Sequence, residues 1–509
     1  MFDSISHTNL LVVIAGGLLL YTLGSRRKNR LPPGPRGLPI IGNAHQMPTE
    51  LPWRVLSEWS KKYGEIMHID IVGRPLIVIS SSKAATDLLD KRSAIYSDRP
   101  HSVMAHLIGY DETLALLPYN DNWRKQRRLI AQDFAPSNTP RYYSLQEKEA
   151  RILVRNILKD PSSLFSEVKM RIGTIIIRVV YGYYIQSTDD PILTIPLTAM
   201  ENFSYATAAG NFMVDFVPAM RYLPRWAPGA GFLKITKKFR ATFLKAASGP
   251  YEWCKDNLET GMTLMPNLCG TILQESNGEL SKDAQEKLMW ASSSVMGGGL
   301  DTSMSSALTF FVAMIRYPEI QAKAQAELDA VVGQDRLPAI SDLVNLPYIR
   351  AIISEVFRSS PSIPLCIPHA VRQDDIYNDY LIPKGALILP NIWHMLHDPE
   401  LYPNPMEFIP ERFNGSDVEM DKVKDLMFGF GRRVCPGRYF AEGTLFAIIA
   451  TTLATCKILP ALDANGKELI PEFAYTSGTI TFPKPFTLRL KPRSAQAAAM
   501  LAEVSSAIE

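Results

Sequence analysis

Hydrophobic and polar positions change period along this chain in a readable order. Residues 10–23 form an uncharged apolar run without alternation. Two short β-type runs, Ile66–Ile71 and 75–80, flank Val72-Gly73-Arg74 and predict a hairpin with Gly73 in its turn. From residue 83 to about 358, apolar positions recur at mostly helical spacing, broken by Pro and Gly. The longest such run, 281–316, stops at Tyr317-Pro318, where proline ends a helix. Short β-type pieces return at 380–389 and 479–490, and an apolar helical stretch covers 438–456. Between 398 and 413, Pro399, Pro403, Pro405 and Pro410 exclude regular structure and predict an irregular, rigid connection on the surface. From Ser494 the chain is Ala- and Ser-rich, a frayed helix or a disordered tail. No internal repeat is visible.

The N-terminal run changes the picture of location. Its strict length falls short of the roughly 20 residues that span a bilayer, but extension back to Phe2 adds only Asp3 and His7 as costly residues. Arg26, Arg27, Lys28 and Arg30 follow it, whereas a cleaved signal peptide carries its positive charge in front. That order predicts a retained signal anchor with the rest of the chain in the cytosol. Leu31-Pro-Pro-Gly-Pro-Arg-Gly-Leu-Pro39 then forms a stiff spacer.

Composition adds little beyond exclusions. The chain has 509 residues, 46% hydrophobic and 21% charged, as in ordinary globular proteins. A formal charge of +3 gives no reason to expect a nucleic-acid partner. Cys254, Cys269, Cys366, Cys435 and Cys456 are odd in number and widely spaced, which argues against a disulfide framework or a zinc site.

One cysteine has a special setting. Phe428-Gly-Phe-Gly-Arg-Arg-Val-Cys-Pro-Gly437 places Cys435 in a glycine-flanked loop before the apolar helical stretch. Backbone N–H groups and Arg433 are expected to favour the ionised sulfur, which is the form a metal binds. A buried structural cysteine in a turn is the plainer alternative. The spacing Phe-x-x-Gly-x-Arg-x-Cys-x-Gly resembles the haem-binding loop of the cytochrome P-450 family, the haem-thiolate monooxygenases.

Two further segments fit that resemblance. Gly297-Gly298-Gly299-Leu300-Asp301-Thr302 lies inside the long helical run, although each glycine costs about 1 kcal/mol there relative to alanine. Close helix packing or a helix break would explain the glycines; so would room for a flat cofactor and a small ligand. Asp301 and Thr302 then supply an acid and a hydroxyl for proton transfer, and the pattern resembles the family's oxygen-activation segment. Glu355 and Arg358 share a helix face. Followed by Pro410-Glu411-Arg412-Phe413, they resemble the family's buried structural triad of Glu355, Arg358 and Arg412.

The resemblance implies a mainly α fold with small β-sheets, a single large haem-thiolate monooxygenase domain over 40–493. Before it come an anchor at 1–24 and a basic, proline-rich hinge at 25–39; a tail at 494–509 follows. Haem b would bind with Cys435 as axial iron ligand, its electron donation favouring O–O cleavage. Trp123, Arg127, His369 and Arg433 would hold the haem carboxylates, with Phe428, Gly437, Gly298 and Gly299 around the ring. Thr302 and Asp301 would serve as catalytic residues. Electrons would come from NADPH through a separate membrane-bound reductase, docked on Arg124, Lys125, Arg128, Arg432 and Arg438. The location would be the endoplasmic reticulum membrane, single-pass, with the catalytic domain facing the cytosol.

The substrate implied is a lipophilic small molecule, a terpenoid first, then a polyketide or indole alkaloid, in secondary metabolism of fungal type. Its pocket would draw on 101–117, 202–217, 294–302, 362–367 and 476–480, with Met104, Leu107, Ile108, Phe203, Phe212, Met213, Val214, Phe216, Ile363 and Leu365 as apolar lining. Glu201, Asp215 or Asp111 is placed to anchor an amine. A haem-thiolate isomerase or dehydratase without oxygen activation, and a non-catalytic haem-binding protein, are the other classes considered. Neither has a use for the Asp301-Thr302 pair.

Overall fold

A computed structural model describes residues 31–208, 210–276 and 280–504. The expected anchor at 1–24 and the whole basic cluster after it lie outside the described residues. Among the described residues no helix is long and apolar enough to cross a membrane. The described residues are 57% helical with small sheets, matching the mainly α expectation.

The principal helices, in chain order, are α1 (Pro52–Tyr63), α2 (Asp121–Asp133), α3 (Tyr143–Lys159), α4 (Leu164–Tyr181), α5 (Pro191–Thr207), α6 (Phe232–Asp256) and α7 (Leu268–Glu275). They continue with α8 (Lys282–Arg316), α9 (Pro318–Val331), α10 (Pro347–Ser359), α11 (Asp417–Met427), α12 (Arg438–Thr455) and α13 (Ala495–Ala502). The spine is α8. Ser281 caps it by accepting from the Ala284 N–H at 3.2 Å, and Pro318 follows its end. Its second half is buried on every side, from Met304 to Ile315, as befits a helix through the centre of a core. It packs on α4, α2, α12 and α6.

The predicted hairpin is β1 (Ile66–Ile71) with β2 (Arg74–Ile79), antiparallel. Val72 and Gly73 both take positive φ, +52° and +78°, as a two-residue turn of matching twist requires. The main sheet continues through β6 (Leu387–Pro390), parallel to β2, to β3 (His369–Ala370). The β-type run 380–389 is split between sheets. β5 (Tyr380–Ile382) pairs with β4 (Asp375–Tyr377), and Gly385 at φ +78° turns the chain before β6.

Of 479–490 only the end is a strand, β9 (Leu488–Pro492), because Pro483 and Pro485 remove ladder donors before it. Its partner β7 (Cys456–Leu462), which also pairs with β8 (Glu468–Leu469), follows α12 without a break and was not anticipated. The proline-rich connection is irregular, as expected. It also contributes to the core, with Phe408 and Phe413 each 1% exposed. Nor is the tail frayed throughout: Ser494 caps α13 and Leu501 is buried.

Candidate active site

The cysteine loop joins α11 to α12. The Cys435 N–H donates to the Phe428 carbonyl at 2.8 Å, which closes the loop. Gly431 sits at φ +52°, and a Cβ there would fall 2.4 Å from the Leu89 carbonyl oxygen, so glycine is required. Phe428 meets Phe357 of α10 edge-on at 5.4 Å, tying loop to core. Burial pushes the Cys435 thiol above its ordinary value, opposed by the Gly437 N–H and by Arg127 and Arg438. Two expectations are corrected here. The protein by itself does not hold this sulfur ionised, and Arg433 is not the cation beside it.

Arg433 instead donates to the carbonyls of Ser97 at 2.8 Å, Leu114 at 3.1 Å and Leu117 at 2.8 Å. Its guanidinium lies over the Trp123 ring at 4.7 Å. Burial first, then Arg99 and Arg127, push it down to about 8. Burial lowers Arg127 as well and brings Arg99 down to about 10. Arg99 spends its donors on the carbonyls of Ala115, Ile367 and Pro368. Nothing in Asp98-Arg99-Pro100 marked it in the sequence. No carboxylate is within ion-pair distance of these three cations among the described residues. All three are half-buried, with Asp98 acting on Arg99 and Arg433 only from beyond contact, and charge so weakly compensated away from water is costly.

Trp123, on α2 one turn before Arg127, has a buried indole N–H without a partner. His369 is buried and held well below its usual value by burial and by Arg99. It is therefore neutral, and its Nδ1–H donates to the Tyr96 carbonyl at 2.8 Å. It can meet a carboxylate only by taking a proton at Nε2. Three guanidiniums without a carboxylate in ion-pair contact and an orphaned indole N–H are the donor set that a cofactor with two carboxylates would satisfy. The haem expectation therefore fits the residues present. Among the described residues no group of three or more His, Cys, Asp or Glu could hold a bare metal ion.

Glu355 and Arg358 are wholly buried on α10 and share two hydrogen bonds, 2.7 and 2.8 Å. Arg412 reaches Glu355 at 3.2 Å from the proline-rich connection, and the Ile409 N–H donates to the same carboxylate at 2.8 Å. Arg358 also donates to the carbonyls of Leu396, Pro405 and Glu407. The connection is thereby bound to α10.

On α8 the three glycines divide. A Cβ at Gly297 would meet Met200 Sδ at 2.7 Å, and one at Gly299 would meet Ile176 Cδ1 at 2.6 Å. Those two allow close helix packing, so Gly299 does not face the cleft as expected. Gly298 has nothing within 4 Å of its Cβ position and borders the cleft with Thr302, whose hydroxyl donates to the Gly298 carbonyl at 2.7 Å. Asp301 points away from the cleft lining. It is 4% exposed and pushed up to about 7 by burial, then by Glu201, with Lys169 opposing.

All five expected segments contribute to the cleft, through Thr113, Phe203, Met296, Ile363 and Ile480 among others. Met200 and Ala199 of α5 and Phe243 and Ala246 of α6 also line it. Ala199 and Met200 lie just ahead of the expected segment 202–217, and Phe243 and Ala246 reach the cleft through the packing of α6 on α5 and α8. Of the ten apolar residues expected as lining, only Phe203 and Ile363 are part of it; Met104, Ile108 and Val214 are buried in the core cluster behind Phe203 and Phe243. The lining carries no charged side chain. Asp215 accepts from Ser102 and the Met104 N–H, Asp111 pairs with His106, and Glu201 is exposed. None of these three acids is placed to anchor an amine in the cleft.

Of the five surface cations expected to dock a reductase, Arg124 pairs with Asp121 at 2.5 Å and Lys125 lies 3.9 Å from Asp283. Arg438 lies 3.7 Å from Asp425, Arg432 donates to the Tyr119 hydroxyl, and Arg128 is exposed.

Comparison with known proteins gives the family of the chain. A family model described as cytochrome P-450 matches residues 32–488. The chain is 50% identical to cytochrome P-450 monooxygenase 105 of Postia placenta over 97% of its own length and 95% of that protein. It is 46% identical to monooxygenase 226 of the same fungus, over 96% of this chain and 94% of that one. It is 40% identical to cytochrome P-450 monooxygenase claR of Ampulloclitocybe clavipes, over 95% and 91%.

Proposed function

The chain belongs to the cytochrome P-450 family, whose members similar to it are fungal monooxygenases, and from that membership we propose that it oxidises a neutral lipophilic small molecule. Haem b would be held by Cys435 as axial ligand. Its carboxylates would take the indole N–H of Trp123 and the guanidiniums of Arg127 and Arg433, with Arg99 as an addition to the expected set and His369 protonating to join them. When bound, the cofactor supplies activation of dioxygen and transfer of one oxygen atom. Electrons would come from NADPH through a separate reductase, a membrane flavoprotein.

The chain's own residues do the rest. Gly298 leaves space at the cleft floor, and the Thr302 hydroxyl can turn from the Gly298 carbonyl to donate to a ligand there. Asp301, partly protonated near neutral pH, holds a proton on the outer side of the same helical turn. The apolar walls from α5 and α6 exclude water and orient substrate. Their lack of charge favours a terpenoid-like hydrocarbon skeleton over an amine, and a tailoring step in secondary metabolism fits such a substrate.

Location at the endoplasmic reticulum membrane, with residues 1–24 as a single-pass anchor, is part of this reading. Its support is the exposure of large apolar side chains. Ile40 is 89% exposed, Tyr222 74% and Trp226 85%.

The observation that carries the proposal is the set of Arg99, Arg127 and Arg433, none in ion-pair contact with a carboxylate among the described residues, together with the orphaned indole N–H of Trp123. The test is the ferrous–CO spectrum of purified protein, expected to show the red-shifted band of thiolate ligation. Cys435→Ser should abolish it; a band that survives that change would overturn the assignment. NADPH consumption with a reductase, across a lipophilic library and read by a mass gain of one oxygen, would identify substrates.

A further inference from the structure

We propose that Ser293 on α8 selects a substrate that already carries one neutral oxygen function, a hydroxyl or a carbonyl, at the end remote from the carbon that is oxidised. This rests on the lipophilic-substrate reading above and adds to it a specificity-determining residue and the group that residue takes.

Six side-chain hydroxyls line the cleft, those of Tyr110, Thr113, Ser293, Ser294, Thr302 and Thr479. Five are engaged within the protein. Tyr110 donates to the Ala199 carbonyl at 3.4 Å and Thr113 to the Tyr110 carbonyl at 2.6 Å. Ser294 donates to the Trp290 carbonyl at 2.7 Å and accepts from the Leu114 N–H at 3.0 Å. Thr302 donates to the Gly298 carbonyl, and Thr479 shares a hydrogen bond with Thr207 at 2.9 Å. Ser293 makes no hydrogen bond, although it is only 5% exposed. A hydroxyl kept from water without a partner is destabilising. Ser292, Ser305 and Thr309 of the same helix also lack partners, but they are sealed in the core and none borders the cleft. Of these orphans only Ser293 opens on space that a ligand can enter.

The rest of the lining says what the ligand group is. No charged side chain borders the cleft, and one serine cannot offset a buried carboxylate or ammonium. A neutral hydroxyl or carbonyl is satisfied by a single O–H donor.

The place of Ser293 along α8 says where on the substrate that group lies. Ser293 shares a helix face with Trp290, whose ring stacks on Phe243 of α6 at 5.5 Å. Thr302 stands at the other end, where Ser362 donates to its carbonyl at 3.2 Å beside the lining residue Ile363. Nine residues of helix separate the two, about 13 Å at 1.5 Å per residue. A terpenoid-sized skeleton bridges them along the apolar walls, its oxygen at Ser293 and its reacting carbon near Thr302. The step that supplies such a substrate is then a hydration or an earlier oxidation, and the product carries oxygen at both ends.

The test titrates the full-length, haem-loaded protein and reads dissociation constants from the shift of the haem absorption band. The probes are three matched pairs of alcohol and hydrocarbon: farnesol with farnesene, cedrol with cedrene, and 1-dodecanol with dodecane. In at least one pair the alcohol is expected to bind about tenfold tighter, the worth of one hydrogen bond. Ser293→Ala should remove that preference, weakening the alcohol while the hydrocarbon binds as well or better, since no orphan hydroxyl lies beneath it. Ser293→Cys keeps the side-chain volume but is a far weaker donor, and should behave like Ser293→Ala. The ferrous–CO band should be unaffected by either change; if Ser293→Ala loses it, Ser293→Cys carries the test. Equal affinities within all three pairs, or a preference that survives the changes, overturns this inference and leaves the lipophilic-substrate reading standing. No binding in any pair, with the band intact, overturns both.

Discussion

Arg358 grips Glu355 through two nitrogens, Nε at 2.7 Å and Nη2 at 2.8 Å, with neither side chain exposed. A buried pair of this kind adds little over a well-packed apolar one, but loss of one partner strands the other charge. Glu355→Ala should therefore destabilise the fold by about 3–5 kcal/mol. Arg358→Lys should rescue little, because one ammonium cannot also reach the Leu396, Pro405 and Glu407 carbonyls. Thermal or urea unfolding measures both.

Neighbouring glycines on α8 should respond with opposite signs. Gly298→Ala should stabilise the helix by up to about 1 kcal/mol, since nothing opposes its Cβ. It should also reduce turnover by narrowing the cleft. Gly299→Ala must displace Ile176, 2.6 Å from the new carbon, and should cost about 1–3 kcal/mol. Unfolding midpoints and product formation separate the two.

Asp301 gives the fold a pH dependence. Its folded pKa of about 7 lies above the ordinary 3.8, so the folded state holds its proton longer. Stability is full below the unfolded value and falls as pH rises through 7. The loss is at most roughly 4 kcal/mol. Asp301→Asn should remove this slope, so its stability relative to the parent grows from pH 5 to pH 8 and then levels. Melting curves across that range measure it.

Trp123→Phe removes an indole N–H with no partner in the protein. Stability of the cofactor-free chain should change by less than about 1 kcal/mol, the lost orphan offsetting the smaller ring. Haem dissociation should quicken about tenfold, equivalent to one hydrogen bond. Transfer to a haem-scavenging apoprotein measures the rate.

Much of the site was legible because its parts are local. The ten residues 428–437 carry their own turn geometry, and Gly431 has no substitute beneath the Leu89 carbonyl. Glu355 and Arg358 share a turn of one helix, as do Trp123 and Arg127. Pro318 fixes the end of α8. Local spacing also found the β-hairpin, whose two turn residues need positive φ.

Other features depend on what lies across the fold. Sequence placed Arg433 beside the sulfur because the two are near in the chain, whereas the folded loop turns its guanidinium to three carbonyls and brings Arg127 from α2 instead. Arg99 joins the cation cluster without any spacing signal. Gly297, Gly298 and Gly299 read alike in the sequence, and only their neighbours Met200, open space and Ile176 tell them apart. Phe243 and Ala246 reach the cleft because α6 packs over α5 and α8. The sequence by itself determined the family, the mainly α class and the glycine-bearing turn that holds Cys435, since these rest on short-range patterns of turn, period and residue type. Tertiary structure alone decided which charge acts on the sulfur and which walls bound the cleft, because electrostatic and packing forces act through space between residues that the chain keeps far apart.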